Sequence, residues 1–222
     1  ILNIMLTWRD GRKILAQRMR EIKPPVYKAE DGSVYLKQVA GTSQLFDNSQ
    51  HLNTSWLPME ILSGDIINNQ KRVSGTSVFM SVSLTSVPPV LIHHLKHNKV
   101  LHENVLFLSI KSLDMPYAKK DKRIELSEMG NGFFRILAYY GFMETPNVPD
   151  IIKKAQEQGL KINDKDITYY LGRESLLISN KSKMLGWKKS LFAFMSKNAL
   201  PATSYFSIPP DRVVELGIQI EL

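Results

Sequence analysis

The sequence predicts an α/β fold, in which helices pack on a mixed β-sheet to form a sandwich, preceded by an N-terminal helix and a polar linker. From Gly75 onward, short apolar runs of strand length alternate with segments of helical periodicity. A glycine turn at Gly130-Asn131-Gly132 separates two strand-like runs. Such a turn predicts an antiparallel hairpin, and therefore a mixed sheet rather than a purely parallel one.

The composition narrows the class of protein. The chain has 222 residues, of which 43% are apolar, as expected for a folded chain with a sizeable core. The lack of cysteine excludes a disulfide-stapled secreted domain, a thiolate zinc site and a cysteine nucleophile. No apolar run in the sequence reaches the roughly 18–20 residues that a membrane-spanning helix needs.

The net charge of +8 is concentrated near the start of the chain. Residues 1–25 contain six Lys and Arg residues against two acidic ones, about half of the net charge. Residues 1–8 are mostly apolar and end at Trp8, directly before the basic segment. This order is typical of a transmembrane helix that leaves a bilayer on its cytoplasmic side. The basic segment would then lie at the membrane surface, below a span that begins upstream.

A surface amphipathic helix is the alternative for the same segment, and the residues alone leave both interpretations open. Its stripe would consist of Leu6, Ile14, Leu15, Arg18 and Met19. Nucleic acid is not expected as a partner, because no interleaving of aromatic and basic residues accompanies the charge.

Residues 24–72 are predicted to be a polar linker or insertion. Pro24-Pro25 ends the first helix, and Gly, Ser, Asn, Gln and Asp recur between this pair and residue 72. Short apolar patches at residues 34–36, 56–57 and 61–62 are predicted as strands or docked turns. The chain therefore divides into a membrane-exit and basic helix at 1–23, a linker at 24–72 and an α/β domain at 73–222.

The elements of the α/β domain occur in the order β-α-β-β-β-α-β-α-β. The strands are predicted at residues 77–82, 104–111, 122–129, 133–142, 167–177 and 213–222, and the helices at 90–98, 149–159 and 185–199. The last helix is predicted to be amphipathic, with lysines opposite an apolar side. That side consists of Trp187, Leu191, Phe192, Phe194 and Met195.

Few motifs point to chemistry. His93 and His97 share a helix face, as two metal ligands do, but a third ligand is needed and roles at a helix end fit as well. Gly130-Asn131-Gly132 fits a turn, since the rest of a phosphate-binding P-loop is absent from the sequence. Arg173 is suited to hold a phosphate or carboxylate, or to form a structural ion pair. No serine has the G-x-S-x-G context of a hydrolase.

Several blocks of sequence, taken together, point to one family. They are GTSVFM at 75–80, HHLKHNKVLHE at 93–103, YGFME at 140–144, YLGRE at 170–174, LFAFMSKNA at 191–199 and YFSIPPDRVVELG at 205–217. In this order they resemble the cytosolic C-terminal region of Kup-type (KUP/HAK/KT) potassium uptake transporters. The start, MLTWRDGR at 5–12, is similar to the end of the family's last membrane helix, which favours the membrane-exit interpretation. His94 stands where the family more often has Asn.

The resemblance implies a non-enzymatic, regulatory or stabilising domain at the cytoplasmic face of the inner cell membrane. The parent would take up potassium together with protons. The implied partner is the parent's own membrane domain, with no cofactor and no metal. A cyclic dinucleotide or another nucleotide is a candidate ligand, and a second copy of the chain is a candidate partner in a homodimer. Polar residues within the matching blocks are the candidate ligand contacts: Lys99, Arg173 and Asn198. The alternative is a nucleotide-binding or nucleotide-cyclase-like enzyme domain.

Overall fold

The computed structural model describes residues 2–21, 26–28, 34–36, 70–81, 87–119, 123–177 and 185–221. In this part of the chain the strands are β1 (Val26–Lys28), β2 (Val34–Leu36), β3 (Lys71–Met80), β4 (Val100–Leu113), β5 (Ile124–Gly130), β6 (Phe133–Gly141), β7 (Ile167–Leu177) and β8 (Val213–Glu221). The helices are α1 (Leu2–Glu21), α2 (Pro89–Asn98), α3 (Val148–Glu157), α4 (Gly186–Lys197) and the single turn α5 (Ala202–Tyr205), with short 3-10 turns at Asp164–Asp166 and Pro210–Arg212.

The main sheet has six strands in the order β5-β6-β4-β3-β7-β8. All neighbours are parallel except β5 and β6, which form an antiparallel hairpin. The backbone turns between them through Gly130, Asn131 and Gly132, whose φ angles are all positive, at 85°, 50° and 77°. Glycine and asparagine adopt this conformation most readily, so the predicted turn and the mixed α/β sheet are both confirmed.

Helices cover both faces of the sheet, which gives three layers. Phe79 and Phe107 point to the face where α2 packs. Val78 and Leu106 point to the opposite face, where α3 packs. Because successive side chains of a strand alternate between faces, apolar residues at consecutive positions supply two separate cores. The predicted sandwich is confirmed.

Local signals set the helix boundaries. Pro89 stands in the first turn of α2, and Lys99 ends that helix in a left-handed conformation with φ 55°. The backbone N–H of Lys99 donates to Leu95 O at 3.1 Å. At α3, the side chain of Asn147 accepts from the backbone N–H of Asp150 at 3.0 Å, which caps the N-terminus. Each of these features turns the chain back towards the sheet.

The N-terminal segment is helical, as both interpretations of it required. In the described ranges, none of the helices combines the length and the apolar character needed to cross a bilayer. Within the predicted linker, Val34–Leu36 forms β2 and pairs with β1, while the patches at 56–57 and 61–62 lie outside the described residues. Lys71 and Arg72 belong to β3, so the sheet begins inside the segment predicted as linker.

The buried side of α1 differs from the predicted stripe. Thr7, Gly11 and Leu15, spaced four residues apart, are buried, whereas Leu6 and Ile14 are only partly buried. The side chains of Arg18 and Met19 lie outside the described part. A glycine and a threonine lie on the docking side because the partner surface is a bulky aromatic ring, which hydrophobic periodicity alone does not reveal.

Candidate functional site

The first feature of interest is the contact between α1 and α4. Gly11 lies so close to the Phe192 ring that a Cβ at position 11 would overlap it. The Trp8 ring also packs on Phe192, with 5.5 Å between the ring centroids. Ile14, Leu176 and Met195 complete the cluster, and Phe192 is fully buried in it. The N-terminal helix is therefore held on the domain by a close contact between a glycine and an aromatic ring.

The orientation of α4 corrects the sequence prediction. Phe192 is buried as expected, but Trp187 and Phe194 are more than half exposed, and Lys189 is buried. The expectations that Phe194 belongs to the core and that the lysines all lie opposite are therefore wrong. Apolar residues occupy more than one side of this helix, so the side that docks is decided by the shape of α1 and not by hydrophobicity.

The second feature is a clamp at two loops that come after β4 and β6. The Glu144 carboxylate accepts hydrogen bonds from the backbone N–H groups of Ala118 at 2.9 Å and Gly141 at 2.7 Å, and it pairs with Arg123. Only 14% of the Glu144 side chain and 17% of the Arg123 side chain are exposed. The two N–H groups, and then Arg123, lower the pKa of Glu144 below its ordinary value, although burial opposes them. Glu144 therefore binds both loops as a carboxylate.

The backbones of the same two loops are also joined directly. The N–H of Phe142 donates to Met115 O at 3.0 Å, and the N–H of Met143 donates to Pro116 O at 3.2 Å. Gly141 allows this approach, because a Cβ there would overlap the Pro116 carbonyl oxygen. We call residues 114–119 and 142–145 the double loop.

The double loop and the α1–α4 contact lie at the same edge of the sheet. Phe79 of β3 pairs in register with both β4 and β7. Six residues further along these parallel strands stand Leu113, at the base of the double loop, and Leu176, in the Phe192 cluster. Gly141 of β6 pairs with Leu113. Only β3 separates β4 from β7, so these two strands are about 10 Å apart where β3 lies between them, and both features lie beyond the carboxyl end of β3.

The third feature is a buried group of aromatic and histidine rings. His94 packs against Phe79 and Tyr170, with ring centroids 5.9 and 4.7 Å away, and His102 lies 6.5 Å away. The side-chain amide of Asn98 donates to Nδ1 of His94 at 2.8 Å. Nε2 of His94 and Nδ1 of His102 are buried and have no hydrogen-bond partner among the described residues. This environment suits neutral rings, because a buried charge needs a partner.

Acidification is expected to destabilise the domain through these two rings. Burial lowers the pKa of both His94 and His102 below the ordinary value of 6.5. The nearby His102 lowers the pKa of His94 further, while Asp166 partly offsets the shift at His102. The unfolded chain therefore binds more protons than the folded one below pH 6.5, and stability falls as pH falls.

Urea unfolding between about pH 7.5 and 5.5 measures this loss directly. His94→Asn keeps a polar side chain that cannot titrate, so its stability should vary less with pH than that of the unmodified chain. Equal pH dependence in the two proteins would contradict the assignment to His94.

The His93–His97 pair, whose spacing also fits two metal ligands, has no third ligand in the part of the chain that the structure describes. His93 and His97 lie close together on α2, with 4.5 Å between their ring centroids. Across the described ranges, no group of three or more His, Asp or Glu side chains is arranged to hold a metal ion.

The three candidate ligand contacts lie in different places. Lys99 is exposed at the amino end of β4, where it ends α2. Arg173 is exposed far along β7, where it pairs with Glu215 at 3.2 Å. The registers put Lys99 and Arg173 on the order of 30 Å apart along the strands. Asn198 comes directly after α4 and donates to Phe194 O at 2.8 Å. Their role in ligand binding stays a prediction.

The comparison with known families decides where the chain belongs. Residues 74–222 match the family described as the K+ potassium transporter C-terminal domain. This chain belongs to that family. The match confirms the resemblance that the sequence blocks indicated. The matched residues include both Glu144 and Arg123 of the clamp and the whole of α4.

Relatives of this K+ transporter C-terminal domain carry the same indication in their names. The probable potassium transport system protein Kup 2 of Syntrophobacter fumaroxidans is 44% identical over 98% of this chain, and Kup of Myxococcus xanthus is 38% identical over all of it. The Kup protein of Anaeromyxobacter sp. is 46% identical over 75%. The chain spans 29%, 29% and 26% of these relatives, respectively. No solved structure matches the chain.

Nothing in the family description or in these names supports the nucleotide-enzyme alternative. They describe a domain of a transporter.

Sequence reasoning missed Glu144 and Gly141 as residues of the site. Both stand in the YGFME block, where no motif assigned them a role. Their partners, Ala118, Pro116 and Arg123, lie more than 20 residues away along the chain. A glycine near the end of the predicted strand 133–142 and a carboxylate three residues later were the local signals, and these are typical of many ordinary turns.

Proposed function

We propose that this chain is the cytosolic C-terminal domain of a proton-coupled potassium uptake permease, in which it regulates or stabilises the membrane part. The family match and the names of the relatives support potassium transport by the whole protein. On this proposal, residues 1–23 are the end of the last membrane helix and a basic juxtamembrane helix. Residues 24–72 connect it to the cytosolic domain, which occupies residues 73–222.

The docking of α1 on α4 is the observation that carries this proposal. A helix that continues upstream into the membrane and packs directly on the domain connects the two mechanically. Gly11 of α1 contacts Phe192 of α4 directly, so the two helices are joined by packing and not only through the chain that links them. A ligand or partner that prefers the docked arrangement shifts the equilibrium by its difference in affinity for the docked and undocked states.

The domain lies on this proposal at the cytoplasmic face of the inner cell membrane. Arg9, Arg12 and Lys13 are exposed on α1. Basic residues next to a membrane span favour the cytoplasmic side and are attracted to anionic headgroups by about 1 kcal/mol each.

We propose no catalytic step for this domain. The charged groups that stand out in the described part have structural partners: Arg173 pairs with Glu215, and Glu144 pairs with Arg123. A role in contact and coupling requires of these charged pairs only that they fix the positions of the strands and loops that they join.

Expression of the full-length parent in a bacterium that lacks its own potassium uptake systems tests the proposal. We expect the full-length protein to restore growth at limiting potassium. A version truncated after residue 23 should take up potassium more slowly, or reach the membrane in smaller amount, because it lacks the domain that binds α1.

Gly217→Ala is the matched control in the full-length protein, because a Cβ at this position would meet no atom within 4 Å. Failure of the full-length protein to restore growth, at normal amount in the membrane, would argue against potassium uptake. Truncation without effect on uptake rate, regulation or amount would argue against a regulatory or stabilising role.

A further inference from the structure

The double loop carries a patch of exposed apolar side chains. Tyr117, Phe142 and Met143 are exposed by 62–64%, and Met115 by 42%. We call these four side chains the loop patch. Single exposed apolar residues are common on protein surfaces, but these four are carried by two loops whose backbones are hydrogen-bonded to each other, and such a concentration indicates an interaction site.

The loop patch is held in a fixed arrangement. Two backbone hydrogen bonds join the loops at Met115 and Pro116, and the Glu144 carboxylate binds one backbone N–H from each loop base. The clamp residue is buried, whereas the apolar side chains next to it are exposed. A rigid support under exposed apolar side chains reduces the entropy lost when they are inserted into a partner.

The position of the loop patch identifies the partner. It lies at the edge of the sheet where α1 docks, at the level of Leu176. Under the proposed function, on which this inference rests, α1 leads to the membrane, so this edge faces the bilayer. Lys111 and Lys119 are exposed on and beside the double loop, and within residues 114–119 and 142–145 the exposed acidic side chain is that of Asp114.

We propose that the loop patch inserts into the interface of an anionic phospholipid bilayer. Tyrosine is enriched at the boundary between headgroups and acyl chains, and Phe and Met contribute apolar area there. Lys111 and Lys119 supply the positive charge that anionic headgroups attract. The domain thus has two attachments to the membrane, α1 and the loop patch.

A single labelled cysteine tests this insertion in the 222-residue chain. The sequence has no cysteine, so Phe142→Cys carries the only thiol and accepts one environment-sensitive fluorophore. Lys161→Cys is the matched control, because Lys161 is exposed and precedes β7 at the opposite edge of the sheet. The label is followed on vesicles of phosphatidylglycerol and phosphatidylethanolamine with brominated acyl chains. We expect quenching of about twofold or more at position 142 and none at position 161.

The affinity for the same vesicles gives an independent measurement. Phe142→Ser combined with Met143→Ser should weaken binding about tenfold or more, since both changes remove apolar area that would be buried in the membrane interface. Leu200→Ser, at a similarly exposed leucine after α4, should leave it unchanged.

Three outcomes would overturn the proposal. The label at 142 could stay in water while the chain binds through α1, or the chain could fail to bind vesicles. The label could also become buried without lipid as protein concentration rises, which would indicate contact between two copies of the chain. Neither readout depends on potassium transport, so failure here and failure of the proposed function are told apart.

Discussion

Replacing Glu144 by alanine is expected to destabilise the domain by about 2–4 kcal/mol, the largest effect we expect from a single polar substitution. The change removes a carboxylate that binds Ala118 and Gly141 and leaves Arg123 largely buried without its ion-pair partner. Arg123 would keep its stacking on Tyr140, with 5.1 Å between the guanidinium carbon and the ring centroid, and a long hydrogen bond of 3.5 Å to Ala118 O. Chemical denaturation at neutral pH measures the loss.

The pH dependence of the same clamp has a definite sign. The pKa of Glu144 is lower in the folded domain than its ordinary value of 4.5, chiefly because two backbone N–H groups bind the carboxylate. The clamp therefore contributes its full stability above pH 4.5 and loses it as pH falls through the folded-state pKa. Glu144→Gln keeps an acceptor oxygen but no charge, so it should fall between the unmodified protein and Glu144→Ala and lack this acid-dependent loss.

Glu125→Ala is the matched control for the clamp. Glu125 accepts a hydrogen bond from the Tyr139 hydroxyl at 3.1 Å but lies on the surface, where such a contact contributes little. We expect a change within about 0.5 kcal/mol. Equal stability of Glu144→Ala and Glu125→Ala would contradict the role of Glu144 as the clamp of the double loop.

The parts of the fold that sequence predicts well are those with local signals. Residues 167–177 form β7 with the predicted bounds, because a run of branched and aromatic residues stands between polar turns. The hairpin was predictable from Gly130-Asn131-Gly132 alone. Contacts distant in sequence were not. Nothing near Gly11 indicates Phe192, and nothing near Glu144 indicates Arg123.

The orientation of α4 could not be predicted from the sequence for a physical reason. Its apolar residues lie on more than one side, because Phe192 is buried while Trp187 and Phe194 are exposed, so hydrophobicity alone does not select the docking side. The orientation that places Phe192 inwards is selected because Gly11 leaves space for its ring. Exposure of Trp187 and Phe194 and burial of Lys189 are consequences of that choice. The orientation of α4 is decided by shape complementarity between two segments that are distant in sequence. Hydrophobic periodicity carries no information about this shape.

The space at Gly11 leads to the second large effect. Gly11→Leu is expected to undock α1 from α4, because even a Cβ at this position overlaps the buried Phe192 ring. Overpacking of this kind costs about 1–3 kcal/mol, a shift of roughly tenfold to a hundredfold towards the undocked state. The helix itself should persist, since leucine favours a helix over glycine by nearly 1 kcal/mol. Amide hydrogen exchange along α1 and α4 then rises, while the two sheet cores stay protected.

A compensating substitution distinguishes this contact from general damage. Phe192→Ala should restore part of the docking in the Gly11→Leu background, because it removes the ring that the leucine overlaps. The coupling between the two changes in a double-mutant cycle should therefore exceed about 0.5 kcal/mol. Gly217→Ala, which meets no atom, serves as the neutral glycine control. Additive effects of Gly11→Leu and Phe192→Ala would show that the two side chains do not meet.

The same pair of variants connects the contact to transport. If α1 carries the position of the cytosolic domain to the membrane part, Gly11→Leu in the full-length parent changes potassium uptake without lowering its amount in the membrane. Adding Phe192→Ala then moves uptake back towards the original value, because it re-forms the docked arrangement. A change in uptake that Phe192→Ala does not reverse would place the effect of Gly11 within the membrane helix itself. Restoration of potassium uptake by Phe192→Ala, a change outside the membrane helix, is therefore the result that only coupling through α1 and α4 explains.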